Sequence, residues 1–245
     1  MSSEHSSKNK SNTDDLAFKD QFNYSHKNPY HDRLKTFDQF VMRDTESEDY
    51  QSKWSTEVFS NNNALEVEIG TGYGHFMLSY TQSHPELNFV GLDHRFKRSF
   101  SLAKKLSKLE SKNFRYLRAR AERIGFIFGE NEIDKLFYFF PDPWPKARHH
   151  KKRLFQLRFL AEAQKVLKKE GQFLIKTDHD QYFEWMLEEL SKQNYFSIKM
   201  KTFDLYTEQP NHFLASFQTK FEKIFLEKGI KIKALELINT KGEND

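Results

Sequence analysis

The chain contains no cysteine among its 245 residues. Disulfides, thiolate metal sites and cysteine nucleophiles are therefore excluded, and the composition suits a reducing cytoplasm. Long apolar runs are also missing. No stretch approaches the ~18 uncharged apolar residues of a membrane-spanning helix, and the opening MSSEHSSKNKSNTDD holds no apolar segment of the kind a secretion signal needs. The expectation is a cytoplasmic protein with no membrane partner. Hydrophobic residues reach only 37% against 30% charged, and 25 Phe, 10 Tyr and 3 Trp take over packing usually left to Leu and Val. Acid is scarce in one place: between Arg95 and Arg120 Glu110 stands alone among ten Lys and Arg.

The net charge of +4 is unevenly spread. Residues 1–60 hold 8 Lys/Arg and 11 Asp/Glu, whereas the remainder carries 31 and 24, a balance of +7. A second basic run follows as Lys146, Arg148, Lys151, Lys152 and Arg153. Such clustering points to a polyanionic partner.

Residues 1–27 are too polar to offset the entropy of ordering and read as a disordered tail. Residues 28–62 read as an N-terminal extension, and 63–245 as one catalytic domain. From Asn63 short apolar runs alternate with amphipathic stretches, the pattern of parallel strands joined by helices. Strands are predicted at Ala64–Ile69, Leu87–Leu92, Phe114–Leu117, Ile133–Phe140, Gln172–Thr177, Phe196–Leu205 and Ile230–Ile238. Helices are predicted at His75–Ser83, Arg95–Leu109, Arg153–Leu167 (stopped by Gly171), Gln181–Leu190 and Lys220–Lys228 (stopped by Gly229).

Two loops carry the chemistry. Glu68-Ile69-Gly70-Thr71-Gly72-Tyr73-Gly74 sets three glycines at a strand-to-helix turn, where a ligand can approach backbone unobstructed by Cβ atoms. A dinucleotide fingerprint would need its third glycine where His75 stands. That spacing, with Glu68 just before it, favours S-adenosylmethionine, whose ammonium and sulfonium a carboxylate can face. Asp93, at the tip of the next strand, is placed to accept from both ribose hydroxyls; the alternative is a cap for the helix beginning near Arg95. The second loop is Pro141-Asp142-Pro143-Trp144-Pro145, whose prolines fix an extended segment. Asp142 would face the same crevice, Trp144 offers a flat surface for a base, and the basic run beyond can follow phosphates. Cations at the start of the helix expected from Arg153 would oppose its dipole, which argues for an external anion.

The stretch from Phe140 to Arg153, with Glu68 to Gly72, Lys176-Thr177-Asp178-His179 and Thr219-Lys220-Phe221-Glu222 in order, closely resembles the bacterial tRNA (guanine-N7-)-methyltransferase family over roughly 63–238. The resemblance implies an α/β fold, the doubly wound Rossmann-like sheet of class I methyltransferases, mostly parallel with an antiparallel last strand. It implies methyl transfer from S-adenosylmethionine to guanine N7 in the variable loop of tRNA, about position 46, as an acceptor nitrogen without a proton. By the same resemblance Glu68, Gly70, Gly72, Asp93 and Asp142 contact the cofactor, and Asp142 is also the catalytic carboxylate. Lys146, Asp178, Thr219, Lys220, Phe221 and Glu222 contact the substrate. Thr219 to Glu222 also reads as a capping box, and Asp178 as a helix cap. Arg120 departs from the family, which usually carries an acid or amide there to contact adenine; either Glu122 or a backbone group substitutes, or the cofactor affinity is lower. His149, His150 and His179 lack metal-ligand spacing, so no metal is expected, and the assembly is taken as monomer or weak homodimer. Two rivals are an exocyclic-amino methyltransferase, whose Asp-Pro-Pro-aromatic order Pro141 to Trp144 does not follow, and a non-catalytic RNA-binding module of the same fold.

Overall fold

A computed structural model describes residues 16–24 and 27–242. The first apolar run forms strand β2 (Leu65–Ile69), every residue of it buried. The others are β1 (Val41–Arg43), β3 (Asn88–Leu92), β4 (Phe114–Arg118), β5 (Ile133–Phe139), β6 (Leu167–Thr177), β7 (Phe196–Thr202) and β8 (Lys233–Asn239). They build one sheet in the order β1-β4-β3-β2-β5-β6-β8-β7. Only β8 runs against its neighbours, β6 and β7. This is the doubly wound, mostly parallel sheet expected, with its last strand reversed.

Helices α1 (His75–Ser83), α2 (Phe96–Leu106), α3 (Leu157–Val166), α4 (Asp180–Leu190) and α5 (Lys220–Glu227) flank the sheet. Side chains alternate between two aromatic-rich cores because successive strand residues point to opposite faces. In β5, Phe137 and Phe139 join Phe76, Tyr80 and Phe89 on one face, while Tyr138 joins Phe155, Phe159 and Phe173 on the other. The chain winds outward in both directions from β2 and β5. Their carboxyl ends therefore form the topological switch point, where a crevice opens.

The third helix begins four residues later than predicted. Arg153 is 3% exposed and points inward, its guanidinium 4.9 Å from the rings of Tyr182 and Trp185, and 153–156 stay outside the helix, with Gln156 N–H turned back onto the Leu154 carbonyl. Gly171 is not a helix stop either. The helix ends at Val166 and runs straight into β6, where Leu167 pairs with Ile133. Gly171 lies at an irregularity within that strand, and a Cβ there would meet the Lys168 carbonyl oxygen at 2.8 Å. Beyond β7 the expected strand is cut short at Thr202, and a helical turn, Leu205–Glu208, follows.

The N-terminal segments contribute more than composition suggested. Val41–Arg43 pairs in parallel with β4 at the sheet edge. Asp44 just after it forms a buried ion pair with Arg118, with His31 Nδ1 3.3 Å from the same carboxylate. Residues 1–15, 25 and 26 of the predicted tail lie outside the described residues. Residues 16–24, however, pack on the domain: Ala17 is buried, and Arg123 donates to the carbonyls of Ala17 and Lys19. Among the described residues no helix is long and apolar enough to cross a membrane.

Trp54 anchors the extension, fully buried against Phe128 and donating from Nε1 to the Ile127 carbonyl at 2.9 Å. Trp54→Ala is expected to cost about 3–5 kcal/mol, read as a lower urea midpoint. An unchanged midpoint would show that 28–62 is an independent appendage.

Candidate active site

At the switch point the glycine turn closes on β3: Gly70 and Thr71 donate to the Leu92 carbonyl at 2.8 and 3.1 Å. Gly70, Gly72 and Gly74 all take positive φ, of 73°, 56° and 73°, which side chains with a Cβ adopt reluctantly. At Gly74 a Cβ would also strike Leu102 at 2.1 Å. Asp93 locks this turn. One carboxylate oxygen accepts from Gly72 N–H at 3.0 Å, the other from Arg95 N–H at 2.8 Å. That second bond makes a turn ahead of the helix, whose N-cap, Arg95, has no side-chain cap, so the cap weighed for Asp93 is not formed; the Asp93 side chain lines the crevice instead.

That crevice has a volume of about 610 Å³, and its walls include Gly70, Asp93, Arg120, Glu122, Asp142 and Trp144. Glu68 and Gly72 stand behind this wall rather than in it. Glu68 is 4% exposed, and its Oε2 has no hydrogen-bond partner. Burial, reinforced by the nearby Asp93 charge, pushes its carboxyl up to about 8. A buried acceptor without a donor, beside a turn stripped of side chains, fits a cationic ligand group reaching past Gly70.

The Pro-Asp-Pro-Trp-Pro loop leaves β5 through Phe140 at φ 51° and carries Trp144 at φ 44°. Aromatic residues pay strain in this region, and such strain persists only where the surroundings enforce it. Here Phe140 N–H donates to the Lys176 carbonyl at 2.8 Å, and Arg153 Nε to the Pro143 carbonyl at 2.9 Å. Asp142 consequently overlooks the crevice, more than half exposed, 3.0 Å from the Arg95 guanidinium. Sequence reasoning did not find this partner, which lies 47 positions away; the surplus of cation after Asp93 was its only trace. Lys152 covers one face of Trp144 at 4.8 Å and His149 meets its edge at 5.8 Å, so the ring is half occupied by the protein itself. The basic run is a separate 3-10 segment, Ala147–Lys152, and not the start of α3, so the dipole argument for an external anion falls. Lys146 is exposed beside it.

On the opposite side, Thr219 to Glu222 form the capping box in full, Thr219 Oγ1 accepting from Glu222 N–H at 3.2 Å and Glu222 Oε2 from Thr219 N–H at 3.0 Å. Glu222 is wholly buried and also accepts from Lys176 Nζ at 2.8 Å and from the Tyr206 hydroxyl at 2.7 Å. It is the hub of a polar network, which favours a structural role over the expected substrate contact. Lys176, quoted from sequence within a motif but given no role although a lysine ending the apolar run Phe173-Leu174-Ile175 is a signal, also donates to the carbonyls of Leu214 and Phe217. Burial presses its ammonium down, and Glu222 pulls it back. Lys220 and Phe221 point to solvent, Phe221 being 51% exposed. Asp178 is half-buried and does not cap α4; His179 does, accepting from Tyr182 N–H. Arg120 pairs with Glu122 at 2.6 Å, which commits the acid proposed to replace it. Among the described residues no group of His, Asp and Glu side chains could hold a metal ion.

A family model described as "Putative methyltransferase" matches residues 62–235. A tRNA (guanine-N(7)-)-methyltransferase of Macrococcus caseolyticus is 32% identical over 84% of this chain and 94% of its own. A bifunctional glycosyltransferase/methyltransferase of Fusobacterium nucleatum is 35% identical over 83% of this chain, which spans 31% of that larger protein. Among solved structures, the 16S rRNA methyltransferase KamB superposes with a TM-score of 0.56 at 14% identity, covering 77% of this chain and 93% of its own, a likeness of fold.

Glu222→Gln is expected to destabilise the protein by about 3–5 kcal/mol, because a buried ammonium loses its counter-charge; a loss confined to RNA affinity would return Glu222 to the substrate-contact role. Glu68 sets a pH dependence. Its carboxyl is raised in the fold from the ordinary 4.5 to about 8, so the native state binds the extra proton and stability falls as pH rises through that interval. Urea titrations of the ligand-free protein between pH 5 and 9 are expected to show this decline, and Glu68→Gln to flatten it.

Proposed function

We propose that this chain, which belongs to the tRNA (guanine-N(7)-)-methyltransferase family, transfers a methyl group from S-adenosylmethionine to N7 of a guanine in the variable loop of tRNA. The observation carrying this reading is convergence: the glycine turn, Asp93 and Asp142, distant in sequence, meet at one crevice at the carboxyl ends of β2, β3 and β5.

S-adenosylmethionine, when bound, supplies the electrophilic methyl of its sulfonium. The unpartnered Oε2 of Glu68 would take the ammonium, and Asp93 the ribose hydroxyls, one oxygen accepting beyond its bond from the glycine turn. Gly70 and Gly72 leave their backbone approachable. Since Arg120 and Glu122 are paired, the adenine edge would be met by backbone groups of that wall.

Guanine N7 has an in-plane lone pair and no proton, so no strong general base is needed. What the protein must provide is alignment and a negative field for the positive charge developing on the purine. Asp142 supplies that field from a strained loop pinned by Arg153. Its carboxylate can also accept from guanine N1–H and the 2-amino group, an arrangement adenine does not present. Lys146 and the neighbouring cations would hold phosphates, with Asp178, Thr219, Lys220 and Phe221 around the base. The capping box and the bond from Lys176 leave Glu222 little freedom to do more than position α5, whereas the Thr219 hydroxyl keeps its own hydrogen to donate. The cysteine-free composition and the tRNA substrate are consistent with a cytoplasmic setting.

Incubation with labelled donor and tRNA lacking the modification is expected to yield label recovered as 7-methylguanosine. Label on an exocyclic nitrogen, or none transferred, would overturn the reading. Asp142→Ala is expected to reduce turnover by about 100-fold or more, as for loss of one preorganised electrostatic group, while donor affinity stays within about tenfold. Near wild-type turnover would remove Asp142 from the mechanism.

A further inference from the structure

The basic run between Arg95 and Arg120 is not one surface. Arg118 is spent on Asp44, Arg120 on Glu122, and Arg115 on the carbonyls of Lys112, Phe114 and Val58. Of the rest, Lys97, Arg98, Lys104 and Lys105 lie on α2. Arg98 lines the crevice, and its guanidinium stands 5.9 Å from the centroid of the Tyr73 ring. Lys105 Nζ reaches the same ring at 5.9 Å and donates to the Tyr73 carbonyl at 3.0 Å. One turn further, His75 sets its ring edge-on to Phe221 at 6.3 Å. Burial, Lys105 and Lys220 all press the His75 imidazole down, which puts both ammonium groups near it.

These two groups of contacts trace a strip from the crevice mouth, along the glycine turn, to the start of α5. Cations and aromatic rings alternate along it. Tyr73 is 37% and Phe221 51% exposed, and among the described residues none of Arg98, Lys105 and Lys220 has an acidic partner. A protein surface that leaves three cations unpaired beside exposed rings is arranged for a ligand repeating negative charge and flat faces at nucleotide spacing. An acidic peptide would use the charges but leave the rings idle.

We propose that this strip binds the single-stranded nucleotides adjoining the target guanine, with Tyr73 and Phe221 stacking on bases and Arg98, Lys105 and Lys220 at phosphates. The inference rests on the RNA-methylation reading and names the path by which the RNA enters that site. His75, kept neutral, adds a third flat face without adding charge.

Binding of an unmodified tRNA transcript is measured without methyl donor, across a salt series, by filter retention. Tyr73→Ala is expected to weaken binding about tenfold, the loss of one base–aromatic stack. Lys105→Gln is expected to lower the slope of log K against log salt by about 0.7, one phosphate contact on a single strand, and Lys105→Arg to restore it. Lys169→Gln, at the opposite end of the sheet, serves as the control and should bind like wild type. Tyr73→Ala and Lys105→Gln both binding within about twofold of wild type, or polyglutamate displacing the transcript as well as an unlabelled RNA does, would overturn the proposal. Because no donor is present, failure here is distinct from failure of the methylation reading, which would appear as normal tRNA binding without transfer.

Discussion

A single buried carboxyl group, that of Glu68, is the constraint around which the crevice is arranged. Strand β2 carries two acids on one face of a fully buried run. Glu66 is satisfied, by the Tyr80 hydroxyl at 2.7 Å and by Lys135 at 2.9 Å. Glu68, two residues on, has one oxygen with no donor and a carboxyl raised to about 8. A chain gains no stability from an acid held this way, since burial of an unsatisfied polar group costs free energy. The asymmetry between two equivalent strand positions is what supports the ligand role proposed for the second, and the glycine turn, the Asp93 bonds and the crevice wall all follow directly on it.

The loop after β5 shows the complementary device. Phe140 and Trp144 hold backbone angles that aromatic residues resist, and the fold keeps them there with bonds from outside the loop. Arg153 does this from within the core, its side chain packed against Tyr182 and Trp185. Asp142 is thus a mobile type of side chain on an immobile base. Its ion pair with Arg95 is exposed on both sides, which makes it a weak restraint that an RNA phosphate can displace.

Strands and helices were legible in sequence wherever the signal is local. The boundaries of α1 and β3 follow from apolar runs, Pro85 and the glycine turn; Gly229, at φ 71°, ends the last helix region as expected. The errors share one cause. Arg153 looked like the first residue of an amphipathic helix because its partners, the Pro143 carbonyl and two rings of α4, are remote in sequence. Glu222 read as cap and as substrate contact together, and its bond from Lys176, 46 positions away, is a third engagement that the sequence did not show. Strand β1 has three residues and only one fully buried, too short for any periodicity. At the crevice, Glu68, Asp93 and Asp142 could be singled out because acids at strand tips are informative by position alone. Their partners could not, because pairing is a property of the folded chain.

The most direct measurement is calorimetric titration of S-adenosylmethionine at pH 7 into wild type and Glu68→Gln, in buffers of different ionisation heat. A carboxyl protonated in the free protein must give up its proton to receive an ammonium, so wild type should release about one proton on binding and the variant should bind weakly with none released. Equal affinity in the two proteins, or no proton release from wild type, would contradict the role assigned to Glu68.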